Sequence, residues 1–155
     1  MKLDFTLNGK PISREVAADK RLVDFLREDM GLTGTKEGCG KVECGTCTVL
    51  LDGHPVCSCL MLCAQIGGRH IVTIEGLRDG DNLHFLQAAF VDAGAVQCGF
   101  CTPGMILSGA ALLAENPDPD EEEIRRAIAG NLCRCTGYTK IVDAIRLAAN
   151  RMRDK

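Results

Sequence analysis

The hydrophobic positions change period along the chain. Leu3, Phe5 and Leu7 alternate with polar residues, the period of a half-buried strand. Asn8-Gly9 comes next, a pair favoured in two-residue hairpins, and residues 12–16 are the expected return strand. Over residues 20–30 the period lengthens. Leu22, Phe25 and Leu26 stand at i, i+3 and i+4, which predicts a short helix stopped by Gly31. Strand character returns at 46–51, turns at Asp52-Gly53, and continues over 55–59, with a last strand at 70–74. The first half thus reads as a small mixed sheet crossed by one helix.

Near Gly76 the pattern shifts. Arg78, Asp79, Gly80, Asp81 and Asn82 form a polar, turn-rich boundary, and the rest of the chain is helical in period. Leu86, Ala89, Phe90 and Ala93 share a face. So do Met105, Gly109, Leu112 and Leu113, then Ile124, Ala127 and Ile128, then Ile141, Ile145, Ala148 and Met152. Four short helices with small inner residues predict a four-helix bundle. The expected fold class is α+β, with one unit over 1–76 and a second over 77–155. The stretch 93–114 runs 22 residues without a charge, a membrane-spanning length. Its four glycines, Pro103, Gln97 and two cysteines favour a buried element and no membrane span. The acidic run 118–123 lacks the glycine that a calcium loop needs at its sixth position. It reads as a helix start, with Asp118 as N-cap, Pro119 at N1 and Glu121 three residues on.

Composition narrows the chemistry. The 155 residues carry 18 Lys plus Arg against 21 Asp plus Glu, a net charge of −3, with no Trp, so a nucleic-acid partner has no support. Ten cysteines are present. The start MKLDFTLNGK has no apolar run or cleavage site, so the expected compartment is the cytoplasm, where thiols favour metal over disulfides. His54, His70 and His84 are scattered and read as surface or turn residues. No nucleophile–base pair stands out.

The cysteines fall into two sets. Cys39-x4-Cys44-x2-Cys47 is the plant-type spacing for a [2Fe–2S] cluster. Gly38, Gly40 and Gly45 interleave with it, as expected where backbone N–H donors must approach sulfur closely. The hairpin at Asp52-Gly53 returns Cys57 and Cys59 towards Cys47, and either can supply the fourth thiolate by spacing. Strict hairpin pairing would not put Cys59 on the face of Cys47, and Cys63 lies beyond the strand. The second set is Cys98-x2-Cys101 and Cys133-x-Cys135, each pair placed immediately before a helix. Helix N-termini suit an anionic cluster. Zinc, the alternative four-Cys metal, fits the single-residue gap poorly.

Three stretches, GLTGTKEGCGKVECGTCTVL at 31–50, VQCGFCTPGMI at 96–106 and NLCRCTGYTKI at 131–141, carry a resemblance. They resemble the iron–sulfur subunit of the molybdenum hydroxylases: xanthine dehydrogenase, aldehyde oxidoreductase, carbon monoxide dehydrogenase and 4-hydroxybenzoyl-CoA reductase types. The resemblance implies a ferredoxin-like β-grasp domain followed by a four-helix bundle, each holding one [2Fe–2S] cluster. It implies Cys39, Cys44, Cys47 and Cys59 as one ligand set and Cys98, Cys101, Cys133 and Cys135 as the other. It implies that Gln97 and Cys135 approach a molybdopterin held by a large partner subunit. A medium FAD-binding subunit, in a heterotrimer or a dimer of heterotrimers, is also implied. The expected function is electron transfer between the molybdopterin centre and flavin or an external acceptor, with substrate chemistry on the partner. A free-standing two-cluster ferredoxin is the alternative.

Overall fold

A computed structural model describes residues 1–78 and 80–154; Asp79, part of the expected boundary, and Lys155 lie outside the described residues. Strands β1 (Lys2–Leu7) and β2 (Lys10–Glu15) form the first hairpin. Asn8 and Gly9 both adopt positive φ, 50° and 77°, so the turn matches the right-handed twist of its strands. Asp52 and Gly53 repeat this geometry, at 50° and 86°, between β3 (Thr48–Leu51) and β4 (His54–Cys57). With β5 (His70–Val72) the strands make a mixed sheet in the order β2-β1-β5-β3-β4, in which β1 and β5 run parallel. Pro11 sits on edge strand β2, where its missing N–H costs no ladder bond.

The crossing helix is shorter than its periodicity predicts. It comprises α1 (Leu22–Asp24) and a wider π-helical turn over Phe25–Asp29. Arg21 stays extended because it bridges Leu62 in a short antiparallel pairing, which delays the helix start. Gly31 stops the helix in a left-handed conformation, as expected. Phe25 and Leu26 pack on Leu3, Phe5, Val49 and Ile71 to form the sheet core.

The second half holds α2 (Phe85–Asp92), α3 (Thr102–Glu115), α4 (Glu121–Ala127) and α5 (Thr139–Arg153). Leu86, Phe90, Met105, Ile124, Ile141 and Ile145 fill its core. His84 caps α2, its Nδ1 accepting from the Leu86 N–H. The α4 cap differs from expectation: it is Asp120 and not Asp118, and its carboxylate accepts from the Glu123 N–H at 2.8 Å. The Asp118 N–H is taken by Asn116 Oδ1 in a local turn, and the later start places Ile124 in the core. No described helix is long and apolar enough to cross a membrane.

The halves share buried surface. Strand β3 is buried on both faces, because Val49 and Leu51 point into the sheet core while Leu50 packs on Leu107 and Ala111 of α3. Buried Asn131 links the halves, donating to the Gly45 carbonyl at 3.0 Å and accepting from Ser108 Oγ at 2.8 Å. Replacing Asn131 by Ala strands the Ser108 hydroxyl. The expected cost is about 2–3 kcal/mol, a melting temperature lower by about 5–10 °C for a chain of this size. A thermal melt within a degree of the parent would contradict this account.

Candidate metal centres

The loop from Cys39 to Cys47 is wound so that its N–H groups face inward. The backbone N–H groups of Lys41, Glu43 and Cys44 converge on Cys39 Sγ at 3.3, 3.3 and 3.4 Å. Donation by Lys41 first, then Cys44, pulls the Cys39 thiol down to about 7. Val42, a β-branched residue, takes a positive φ of 66°, a strain that composition does not signal.

The structure brings Cys59 beside Cys47 by ending the hairpin early. Pairing stops at Thr48 opposite Cys57. Ser58 then donates to the Cys47 carbonyl twice, from its N–H at 3.2 Å and its hydroxyl at 2.7 Å. The chain turns there, and Cys59 is buried with Cys47 and Val23, with Cys57 packed against the group. Burial pushes the Cys47, Cys57 and Cys59 thiols upward. Cys63 lies apart, in the sheet core among Leu3, Leu22 and Ile66, where burial raises its thiol to about 11.

Of the three glycines singled out, Gly38 lies against Cys44, whose sulfur a Cβ would meet at 3.0 Å. Gly40 adopts φ +66° beside the Glu37 carboxylate. Gly45, at φ +68°, has backbone neighbours from the second half instead, Gly130 and Asn131.

The second set lines one cavity of about 530 Å³. Cys98, Cys101, Cys133 and Cys135 contribute to its wall, with Phe100, Leu132 and Tyr138 around them and Cys44 and Thr46 from the first half. Cys101 faces Cys133, and Cys98 faces Cys135. Burial pushes Cys101 up to about 12. Burial also opposes ionisation of Cys133, but hydrogen bonds from the Thr136 hydroxyl at 3.1 Å and N–H at 3.4 Å outweigh it and lower this thiol. Contact with Cys98 raises Cys135. Only the first pair directly precedes its helix, with Cys101 as N-cap of α3. After Cys135 the chain makes a left-handed turn through Gly137 and Tyr138 before α5 begins at Thr139. That turn aims the Tyr138 hydroxyl at the Cys133 N–H, which donates to it at 2.9 Å. Gln97 is exposed, next to exposed Cys98 in the chain.

The donor sets suit a [2Fe–2S] cluster. The first gathers Cys39, Cys44, Cys47, Cys57 and Cys59 and the second four thiols, and Cys39 and Cys133 already receive N–H or O–H bonds at sulfur, as cluster ligands do. Among the described residues no three His, Cys, Asp or Glu side chains converge as they would on a single ion.

The two sites are joined. The Cys44 carbonyl accepts from the Leu132 N–H at 2.8 Å, one residue before Cys133. Thr46 Oγ1 donates to the Phe100 carbonyl at 3.1 Å, one residue before Cys101.

Two family patterns match the chain in order. The 2Fe-2S iron-sulfur cluster binding domain matches residues 5–65, and the [2Fe-2S] binding domain matches residues 73–146. The nicotinate dehydrogenase small FeS subunit of Eubacterium barkeri is 53% identical over 149 residues, covering 96% of this chain and 95% of that protein. Among solved structures, quinoline 2-oxidoreductase from Pseudomonas putida 86 superposes with a TM-score of 0.95 at 49% identity, over 99% of this chain and 96% of that one. The aldehyde oxidoreductase of Desulfovibrio gigas superposes with a TM-score of 0.95 at 43% identity. The match covers 99% of this chain but 17% of that much longer one. The chain therefore belongs to the iron–sulfur small subunits of the molybdenum hydroxylases, two-cluster electron-transfer subunits of oxidoreductases whose substrate chemistry takes place on a partner.

Proposed function

We propose that this chain carries electrons between a molybdopterin centre on a large partner subunit and a flavin on a medium partner or another acceptor. In this reading Cys98, Cys101, Cys133 and Cys135 hold the cluster nearer the molybdopterin. Cys39, Cys44, Cys47 and Cys59 hold the second, and the unit boundary falls between residues 76 and 77. When bound, each cluster supplies one-electron chemistry. The chain's own residues fix the clusters' surroundings. The loop between Cys39 and Cys47, together with Thr136, aims N–H and O–H groups at ligand sulfur, which favours the more negative charge of the reduced state. In this reading Gln97 and Cys135, both exposed, meet the pterin of the large subunit.

One observation carries the reading: the backbone hydrogen bond from Leu132 to Cys44 makes a continuous path of covalent and hydrogen bonds between the two thiol sets. Apolar surfaces near both sets favour a subunit over a free ferredoxin. Phe100 and Leu132 are 48% and 54% exposed beside the second set, and Leu60 is 56% exposed next to Cys59. Such surfaces suit stable partners, whereas a free carrier docks through charge. Substrate choice belongs to the large subunit, since the small subunits of nicotinate and quinoline enzymes are about equally similar to this one. A heterotrimer or a dimer of heterotrimers in the cytoplasm is the assembly we propose.

Native purification from the source organism, with iron analysis and EPR of the reduced sample, tests this. Expected are co-purification of a large molybdopterin-binding subunit and two distinct [2Fe–2S] signals. A chain recovered alone with both signals would favour the free ferredoxin. A colourless chain containing zinc would overturn the electron-transfer reading.

A further inference from the structure

Arg21 forms a clamp beside the first thiol set. Its guanidinium binds the Asp24 carboxylate at 2.7 and 2.8 Å and the Glu37 carboxylate through two further bonds, one of them at 3.2 Å. Glu37 lies two residues before Cys39, and its Oε1 lies 3.3 Å from where a Cβ on Gly40 would stand. The backbone around Arg21 binds the other side of the site. Arg21 pairs with Leu62, the Leu22 N–H donates to the Met61 carbonyl at 2.7 Å, and the Val23 N–H donates to the Ser58 carbonyl at 3.2 Å. The segment so held, 58–62, contains Cys59. The Arg21 side chain thus holds, through Glu37, the stretch of chain that carries Cys39, while its neighbours Leu22 and Val23 hold the segment that carries Cys59. The geometry has the planar fork that arginine supplies and lysine does not.

We infer that Arg21, through Glu37, is a positioning residue that both shapes the first cluster's site and sets its reduction potential by charge. The inference rests on the ligand reading above. Arg21 carries one positive charge against the two negative charges of Asp24 and Glu37. With Arg21 neutralised, two carboxylates stand uncompensated near the cluster and disfavour the added electron. With Glu37 neutralised, the balance tips the other way. A purely structural role would instead move both variants in the same direction.

The experiment is an EPR-monitored redox titration of the intact complex carrying Arg21→Gln, Arg21→Lys or Glu37→Gln. The first cluster's signal is identified by its loss in Cys39→Ser. Expected is a negative shift of that cluster in Arg21→Gln and a positive shift in Glu37→Gln. Arg21→Lys, which keeps the charge, should stay near the parent potential yet release iron to a chelator several-fold faster. The second cluster should not move in any of them. Should Arg21→Gln fail to load, Glu37→Gln against Arg21→Lys still reads the charge effect. Shifts of the same sign, no shift, or equal shifts of both clusters would overturn the inference. A parent complex with only one cluster signal would overturn the two-cluster reading itself, before any variant is compared.

Discussion

Replacing Gly45 by Ala is expected to destabilise the chain by about 2–5 kcal/mol, the sum of a left-handed backbone penalty and core overpacking. Gly45 adopts φ +68°, which an L side chain resists. The space is also taken. A Cβ would collide with the Gly130 carbonyl oxygen and stand 2.9 Å from its carbon and 3.0 Å from Asn131 Cα. These are backbone atoms, so they yield only if the two halves part. Parting would disturb the Asn131 bond to the Gly45 carbonyl and the Leu132 bond to Cys44. The loss is a large share of the roughly 5–15 kcal/mol that holds a typical domain together. Thermal unfolding with iron analysis should report a much lower transition and poor loading at both sites. A variant that melts within two degrees of the parent and holds full iron would show that the contact gives way cheaply.

Replacing Cys98 by Ser is expected to remove the second cluster and stop electron flow from the molybdenum centre. The thiolate, not the thiol, is the ligand, and a serine hydroxyl does not ionise in the same range. Groups that merely orient a ligand are worth about 10–100-fold in metal affinity, so loss of a ligand should exceed that. Cys98 is exposed and faces Cys135 across the cavity, so the change does not open a hole in the core. EPR should therefore show one signal in place of two, from a folded chain. Reduction of the remaining cluster by substrate should fall by more than about 100-fold, reasoning from the same affinity loss. Cys63→Ala is the matched control, since Cys63 sits among Leu3, Leu22 and Ile66 away from both sites. It should lower stability while both signals persist. Unchanged turnover of Cys98→Ser with the natural acceptor would refute the assignment of this set.

The cap of α4 illustrates where local pattern stops deciding. Asp118 and Asp120 both precede a glutamate by three residues, so the sequence offers two registers. Burial of Ile124 favours the later one. Strand β3 behaves likewise. Its four consecutive buried residues do not alternate, because α3 covers the face that an isolated hairpin would leave in water.

Features that depend on neighbours a few residues apart were legible in the chain as written. Asn8-Gly9 and Asp52-Gly53 specify their turns because few other residues tolerate positive φ at both positions. The periodicity located the helices, and the cysteine spacings disclosed two thiol sets and their order. Features that need distant residues to meet were settled by packing. The turn at Ser58 brings Cys59 to Cys47 against simple hairpin register, since the Cys47 carbonyl binds Ser58 twice. Arg21 meets Glu37, and Leu132 meets Cys44, only once the sheet and bundle have packed. Such contacts form because packing apolar faces on each other fixes distant backbones together, and no local pattern encodes which atoms then fall within hydrogen-bonding reach.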